Sequence, residues 1–414
     1  MSLVLVATVF AAASGYVIML LAGRRLGAAG YAEFTVFWAL FFTLVGITNG
    51  TMQESTRAVS VARAARTAGP GGRAGAAPTG MRPIRAAVGI GAGLAVVSAA
   101  TAPLWGQWVL PGDELVAAGL LGLAVWSVTV QATLWGLASG TARWPLYAAG
   151  IVVDAALRLV VVAVALALGH GLIGFVVATV AGAAGWLLLL TSPGGRAAAA
   201  ERVDEDTRAY LGRAGHAMLA SAATSVLIVG FPVLLAATSP GDLDDTAGSL
   251  LFSVTITRAP LLVPLTAFQS AVIVYFVQRS GTGLRALRVP LFAVAAVGAI
   301  GAGLAWLLGP PVVRWVGEGF DVSGAVLAAL TAGAALTAML LVTGSAAVAA
   351  DRHRAYAVGW WAATAIAAAV LAAPADMTVR VCTALVVGPL IGVGVHLFLL
   401  VRGAPKPGSG ARRY

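Results

Sequence analysis

The chain is predicted to be an all-α polytopic membrane protein of twelve transmembrane helices, arranged as two halves of six. Three observations predict it: the composition, the number of apolar runs long enough to span, and the distribution of arginine between the runs. Apolar residues make up 60% of the 414 positions and charged residues only 10%. Soluble domains run near 45–50% and about 25%. A chain this poor in charge cannot cover a water-facing surface, so its solvent is lipid.

A membrane-crossing helix needs about 20 mostly apolar residues. Twelve stretches qualify: 3–22, 33–55, 86–104, 115–139, 147–168, 172–190, 217–237, 250–276, 290–308, 322–349, 356–373 and 380–401. Between them lie breaks rich in Gly and Pro, such as Gly69-Pro70-Gly71-Gly72, Ser192-Pro193-Gly194-Gly195, Ser239-Pro240-Gly241 and Gly309-Pro310-Pro311. The first run lacks the basic leader of a secretory signal and is long enough to span, so it is expected to be an uncleaved first helix.

Orientation follows from counting. With a cytoplasmic N-terminus the inside loops are 56–85, 140–146, 191–216, 277–289, 350–355 and 402–414, and they hold 20 of the 26 basic residues. The outside loops hold four, namely Arg24, Arg25, Arg314 and Arg380, and two more, Arg158 and Arg258, fall inside spans. Such a bias over short loops places both termini in the cytoplasm. Acids collect outside instead, at Asp113 and Glu114, at Asp242, Asp244 and Asp245, and at Glu318. The net charge of +10 therefore reads as loops beside anionic headgroups, and nucleic acid is not an expected partner.

The expected domains are an N-terminal six-helix lobe (1–190), a cytoplasmic linker (191–216), a C-terminal six-helix lobe (217–401) and a cytoplasmic tail (402–414). Six is even, so both halves enter the membrane from one side and any internal repeat must be parallel. At an offset of 216 the first two spans fall on the seventh and eighth, which sets Gln53 on Gln269.

Ionisable groups within hydrocarbon cost about 2.5–3.5 kcal/mol on insertion scales, so each is expected to face a partner or a wet cavity. Arg258 lies a third of the way along the eighth span, in Ser253-Val-Thr-Ile-Thr-Arg-Ala-Pro260, with no acid within four residues. It reads as a substrate-facing cation, the alternative being an interhelical pair with Glu33 or Asp154. Asp154 and Arg158 stand at i and i+4 on the fifth span, where they either neutralise each other or serve a coupling ion. Glu54 and Arg57 end the second span, and Arg24 and Arg25 end the first. His216 and His396 are lone histidines, expected in packing or interface roles. Cys382 is the one cysteine, so disulfide and dithiol chemistry are excluded. The sequence has no P-loop, no HExxH and no GxSxG, and no metal or cofactor is expected.

The run Leu20-Leu-Ala-Gly-Arg-Arg-Leu-Gly-Ala-Ala-Gly-Tyr31-Ala-Glu-Phe34 resembles the junction of spans 1 and 2 in polysaccharide flippases of the multidrug/oligosaccharidyl-lipid/polysaccharide (MOP) superfamily. Leu134-Trp-Gly-Leu-Ala-Ser-Gly140 with Arg143 and Tyr147 is similar to that family's span 4–5 junction, and Asp351-Arg-His-Arg-Ala-Tyr356 to its span 10–11 junction. The resemblance covers nearly the whole chain. It implies two six-helix lobes about a central cavity open to one face at a time, with 191–216 as a flexible tether. It also implies a bacterial plasma-membrane flippase for polyprenyl-diphosphate-linked saccharides of the O-antigen or capsule type. The lipid II flippase branch lines its cavity with arginines on spans 1, 2 and 8, where this chain has Arg24 or Arg25, Arg57 and Arg258. Gln53 and Gln269 would join them. Arg24 and Arg57 lie nearer the membrane edges than the family pattern asks, and the two extra helices of that branch are missing.

A guanidinium fork matches diphosphate oxygens and keeps its charge at any working pH. H+, Na+ or the membrane potential would drive such a cycle. Expected partners are the bilayer, the lipid-linked saccharide, and glycosyltransferases or a polymerase of the same pathway. Two other readings compete: an ion-coupled multidrug exporter of the same fold, which calls for uncompensated acids, and a membrane glycosyltransferase or ligase, which calls for a large outer loop.

Overall fold

A computed structural model describes residues 2–67, 80–109, 114–279, 284–317 and 319–402. Outside the described residues lie Asp113, Glu318, Arg73 with the Gly69–Gly72 break, and the tail beyond Arg402 with Lys406, Arg412 and Arg413.

Helix dominates, as lipid requires: with no water to satisfy backbone groups, each N–H and C=O must find its partner within the segment. In chain order the helices are α1 (Ser2–Thr67), α2 (Pro83–Val109), α3 (Glu114–Gly140), α4 (Trp144–Ala167) and α5 (Leu172–Ala181). A 3-10 turn at Gly182–Ala184 leads to α6 (Gly185–Leu190), α7 (Pro193–Ala199), α8 (Thr207–Ile228), α9 (Phe231–Thr238) and α10 (Asp245–Ala267). Then come α11 (Gln269–Gln278), α12 (Arg285–Arg314), α13 (Gly324–Ala349), α14 (His353–Leu371) and α15 (Met377–Arg402).

Among the described residues ten helices are long and apolar enough to cross a membrane, or eleven when the bent pair α8–α9 is one span. The first two expected spans are merged. At 66 residues α1 is about 100 Å long, far beyond a hydrocarbon core of about 30 Å, and it is broken at Gly27, where φ is 68° and ψ −177°. Glycine takes that left-handed φ without steric penalty. The expected seventh span begins ten residues early and bends by 69° at Val229-Gly230, where Pro232 starts α9. The eighth is divided at Phe268, just beyond Pro260 and Pro264. The break expected at Gly309-Pro310-Pro311 is absent, since α12 runs on to Arg314.

Polar residues outside the spans start helices. Ser192 caps α7 from Gly195 N, Asp206 caps α8 from Arg208 N and Ala209 N, Asp244 caps α10 from Ala247 N, and Ser323 caps α13 from Val326 N. Asp244, expected as part of an outside acid cluster, is thus occupied locally.

The chain divides into two compact units, Met1–Gly241 and Asp242–Tyr414. The boundary falls after α9 rather than in 191–216, so α8 belongs with the first unit. Its packing on α1 explains this. Gly46 and Gly50 form a G-x-x-x-G step on α1, and a Cβ on Gly50 would sit 2.3 Å from the backbone nitrogen of Met218. A Cβ on Gly46 would sit 2.2 Å from the Ser225 hydroxyl. Small residues at this spacing let two helix backbones touch.

The segment 191–216 is also no loose tether. It contains α7, then an antiparallel bridge in which Val203 N donates to Met81 O at 3.0 Å, with Val203 fully buried. Arg143 donates to Glu201 at 3.0 Å and Arg202 to Gly80 O at 3.2 Å. The stretch is a strap docked on its own unit.

Both units contain the same turn, at an offset of 209. α3 and α13 each end in a left-handed residue, Ala142 and Asp351, both with φ 56°. Arg143 N donates to Ala138 O at 2.8 Å, as Arg352 N does to Ala347 O at 2.9 Å. Ala142 N donates to Ser139 O and Asp351 N to Val348 O, completing two Schellman motifs. Tyr147 and Tyr356 follow at matching positions.

Replacing Gly50 by Ala is expected to lower the melting temperature of the purified protein by several degrees, since overpacking a tight contact costs about 1–3 kcal/mol. Gly93→Ala, whose Cβ meets nothing within 4 Å, should leave it unchanged or slightly raised. Equal melting curves for the two variants would remove the close α1–α8 contact from the account.

Candidate functional site

Among the described residues of the first unit, the buried charged side chains lie in two places. At the end of the second span the structure builds a closed ring of four charges. Glu54 is buried, and it accepts from Arg57 Nη2 at 2.6 Å and from Arg213 Nε at 2.9 Å. Glu205, on the strap, accepts from the same two arginines. Two carboxylates and two guanidiniums thus cancel within one cluster that joins α1, α8 and the strap. Burial alone would raise the Glu205 carboxyl, but the hydrogen bonds from Arg57 and Arg213 outweigh it and hold the group below its ordinary value. One residue before Glu54, Gln53 is exposed on α1 and donates to the Ser221 hydroxyl of α8 at 3.4 Å.

The second place is the middle of α4. Arg158 donates to Asp154 through Nη2 at 2.7 Å and Nε at 3.1 Å, and Gln131 of α3 donates to the same carboxylate at 3.0 Å. Arg158 is buried, its guanidinium 4.7 Å from the Phe42 ring centroid and 5.1 Å from that of Phe41. A Cβ on Gly182 would meet its Nε at 2.3 Å, so the glycine is the slot into which the guanidinium fits. Both carboxylate oxygens of Asp154 are engaged. This geometry fits the structural pair rather than a vacant ion site.

In the second unit Arg258 lies on α10 and is buried, with 9% of its surface exposed. Its neighbours along the helix, Ser253 and Thr257, are buried too, their hydroxyls turned back onto Ser249 O and Ser253 O. The guanidinium therefore does not look into lipid. Gln269 opens α11, half-buried. Arg24 and Arg25 are exposed, three and two residues before the Gly27 break. The structure thus ties Arg57 into the ring with Glu54, and it brings Asp154 together with Arg158. His396, expected in a packing or interface role, is buried with Nδ1 2.9 Å from the Thr343 hydroxyl and Nε2 3.1 Å from Tyr356 O.

Sequence reasoning missed Glu205, Arg213 and Gln131. The first two lie in a loop read only for its charge, and their partner Glu54 is some 150 residues away. A usable signal did exist for the helix contact, since Gly46-Ile-Thr-Asn-Gly50 is a G-x-x-x-G step inside an apolar run.

No family model matches the chain. It is 41% identical over 398 residues to an uncharacterized protein of Mycobacterium bovis, which covers 96% of this chain and 90% of that one. Two uncharacterized proteins of Mycobacterium tuberculosis match at 41% over 390 residues and 40% over 398, covering 94% and 96% of this chain and 89% and 90% of theirs. The chain belongs to this mycobacterial family. Among solved structures, an inward-facing multidrug resistance MATE transporter of the MOP superfamily superimposes with a TM-score of 0.70 at 14% identity, over 96% of each chain. The lipid II flippase MurJ, in an inward closed conformation, gives 0.67 at 13% identity, over 97% of this chain and 88% of that one. A MOP superfamily transporter from Pyrococcus furiosus, whose binding pocket is described as having reverse polarity, gives 0.64 at 16% identity, over 97% and 93%. At these identities the likeness is one of fold, and all three neighbours are transporters rather than enzymes. This family member is a multi-pass membrane protein with a MOP-type fold.

Two outcomes follow for the first unit. Asp154→Asn leaves a buried guanidinium uncompensated and is expected to cost about 3–5 kcal/mol. Asp154→Asn with Arg158→Met should recover part of that, and a double-mutant cycle on melting temperature measures the coupling. For the ring, the sign follows from Glu205. Its folded value lies below the unfolded one of about 4.3, so its stabilisation is present above that pH and lost as pH falls through and below it. Wild type should lose melting temperature between about pH 5 and 3, and Glu205→Gln should lose less over that range.

Proposed function

We infer that the protein is a flippase that moves polyprenyl-diphosphate-linked saccharide, a cell-surface polysaccharide precursor, across a bacterial plasma membrane by alternating access. The observation that carries this reading is the sign of the buried charge. Glu54, the fully buried carboxylate among the described residues, is held by two arginines, and Asp154 is held by Arg158 and Gln131. On α10 the buried ionisable group is a guanidinium, Arg258. Cationic cargo would need carboxylates held open for it. Anionic cargo needs arginine in a partly dry setting, where each guanidinium–phosphate contact is stronger than in water. That a fold neighbour is described with reversed pocket polarity supports the same latitude in this fold.

In this reading α1 crosses twice about Gly27 and the α8–α9 pair crosses once, which gives twelve spans with both termini in the cytoplasm. Arg258 with Gln269, and Gln53 with Arg24 or Arg25, are the groups proposed to meet the headgroup, while the polyprenyl tail stays in lipid. Arg57 contributes through its ring with Glu54, Glu205 and Arg213. Glycosyltransferases or a polymerase of the same pathway would supply and consume the cargo, with H+, Na+ or the membrane potential as drive.

Flipping of a fluorescent polyprenyl-diphosphate saccharide in proteoliposomes tests this. Arg258→Ala is expected to slow it about 10- to 100-fold, the cost of losing a charge-assisted hydrogen bond, at unchanged protein level, and Arg258→Lys to restore part of the rate. Full activity in Arg258→Ala would discard the assignment.

A further inference from the structure

The α13–α14 turn, one of the motifs that points to the fold, has a feature the transport reading does not use. A cleft of about 670 Å³ opens beside it, lined by Asp351, Arg352, His353, Arg354, Val358 and Leu399. It lies where two membrane-crossing helices, α14 and α15, meet the same edge of the second unit. One wall is basic. The other is apolar and faces outward: Val358 is 51% exposed, and near the end of α15 Phe398 is 52% exposed beneath the Arg402 guanidinium at 4.3 Å.

The repeat-related turn in the first unit shows what this geometry does with a negative charge. There Arg143, the counterpart of Arg352, donates to the Glu201 carboxylate of the strap. The strap also supplies Arg196, which caps α6 by donating to Leu190 O at 3.2 Å and Thr191 O at 2.6 Å. In the second unit the corresponding carbonyls, Leu399 O and Leu400 O, accept instead from Arg352, at 3.0 and 2.9 Å. In the first unit the arginine of the turn thus meets a carboxylate of the strap, and in the second Arg352 meets main-chain carbonyls. Arg354 is exposed at the cleft, and the nearby acid, Asp351, is 3.2 Å from His353.

We propose that the α13–α14 cleft binds the phosphate of an anionic phospholipid, with Arg354 and His353 on the headgroup and Val358 and Leu399 along the first methylenes of an acyl chain. The volume suits one headgroup and its glycerol. The arginine-rich edge is the one the positive-inside rule assigns to the cytoplasm, where anionic lipid attracts basic residues near the surface. The site rests on the membrane-spanning reading and not on the identity of the cargo.

The test uses the full chain in detergent micelles and a fluorescent phosphatidylglycerol, with the phosphatidylcholine analogue as reference. Wild type is expected to bind phosphatidylglycerol more tightly, and Arg354→Ala to cut that preference about fivefold, the effect of one basic residue near a charged surface. Arg314→Ala, an exposed arginine at the other end of α12, should leave it unchanged. Arg354 is exposed, so folding of the variant is not in question, and matching melting curves in phosphatidylcholine verify it. An undiminished preference in Arg354→Ala overturns the site. An equal loss in Arg314→Ala overturns it too, by showing that net charge alone attracts the lipid. If a polyprenyl diphosphate displaces phosphatidylglycerol at equal mole fraction through Arg354, the cleft is a cargo entry and the proposal also falls. Loss of lipid preference with intact saccharide flipping would support the site and leave the transport reading untouched.

Discussion

A guanidinium or carboxylate taken out of water must be met by opposite charge or held at a wet surface, and this constraint shapes the inside of the first unit. Arg158 is fully buried because Asp154 takes two of its hydrogen bonds, the rings of Phe41 and Phe42 flank its plane, and Gly182 leaves the space. Glu54 is buried because Arg57 and Arg213 both reach it. Arg213 can do so only because α8 lies against α1, and α8 lies there because Gly46 and Gly50 present bare backbone. Helix packing and charge neutralisation are therefore one arrangement. Removing either glycine side would unseat the ring as well as the contact.

The membrane class, the positions of most helices and the likeness to MOP transporters were legible in the sequence because they depend on local quantities. A run of twenty apolar residues is a span wherever it falls, and the basic loops are short enough to count. The α4 pair was legible for the same reason, since i and i+4 share a helix face. The strap was not. Its charges read as a loop, and nothing local says that Glu205 meets Arg57 or that Val203 pairs with Met81. Those contacts depend on where α8 packs. The ring around Arg57 was only half legible for that reason: its partner Glu54 is three residues away, but Glu205 is 148 residues away.

The internal repeat is clearer in backbone geometry than in side chains. Ala142 and Asp351 share neither size nor charge, yet both stand at φ 56° and both are followed by arginine and, four residues further, tyrosine. A left-handed residue that is not glycine costs about 1–2 kcal/mol, so the turn is retained for its shape. What differs among the described residues is the donor to the corresponding carbonyls: the strap's Arg196 in one unit and the turn's own Arg352 in the other.

The ion pairs described for the first unit have one further property. Glu54, Arg57, Asp154, Arg158, Arg143, Glu201, Glu205 and Arg213 all lie before Gly241, and each bond joins two members of that same unit. A bond whose ends move together is neither stretched nor broken when its carrier is displaced as a body. Such motion breaks none of these bonds, and salt that screens exposed charges should alter the firmness of the unit itself.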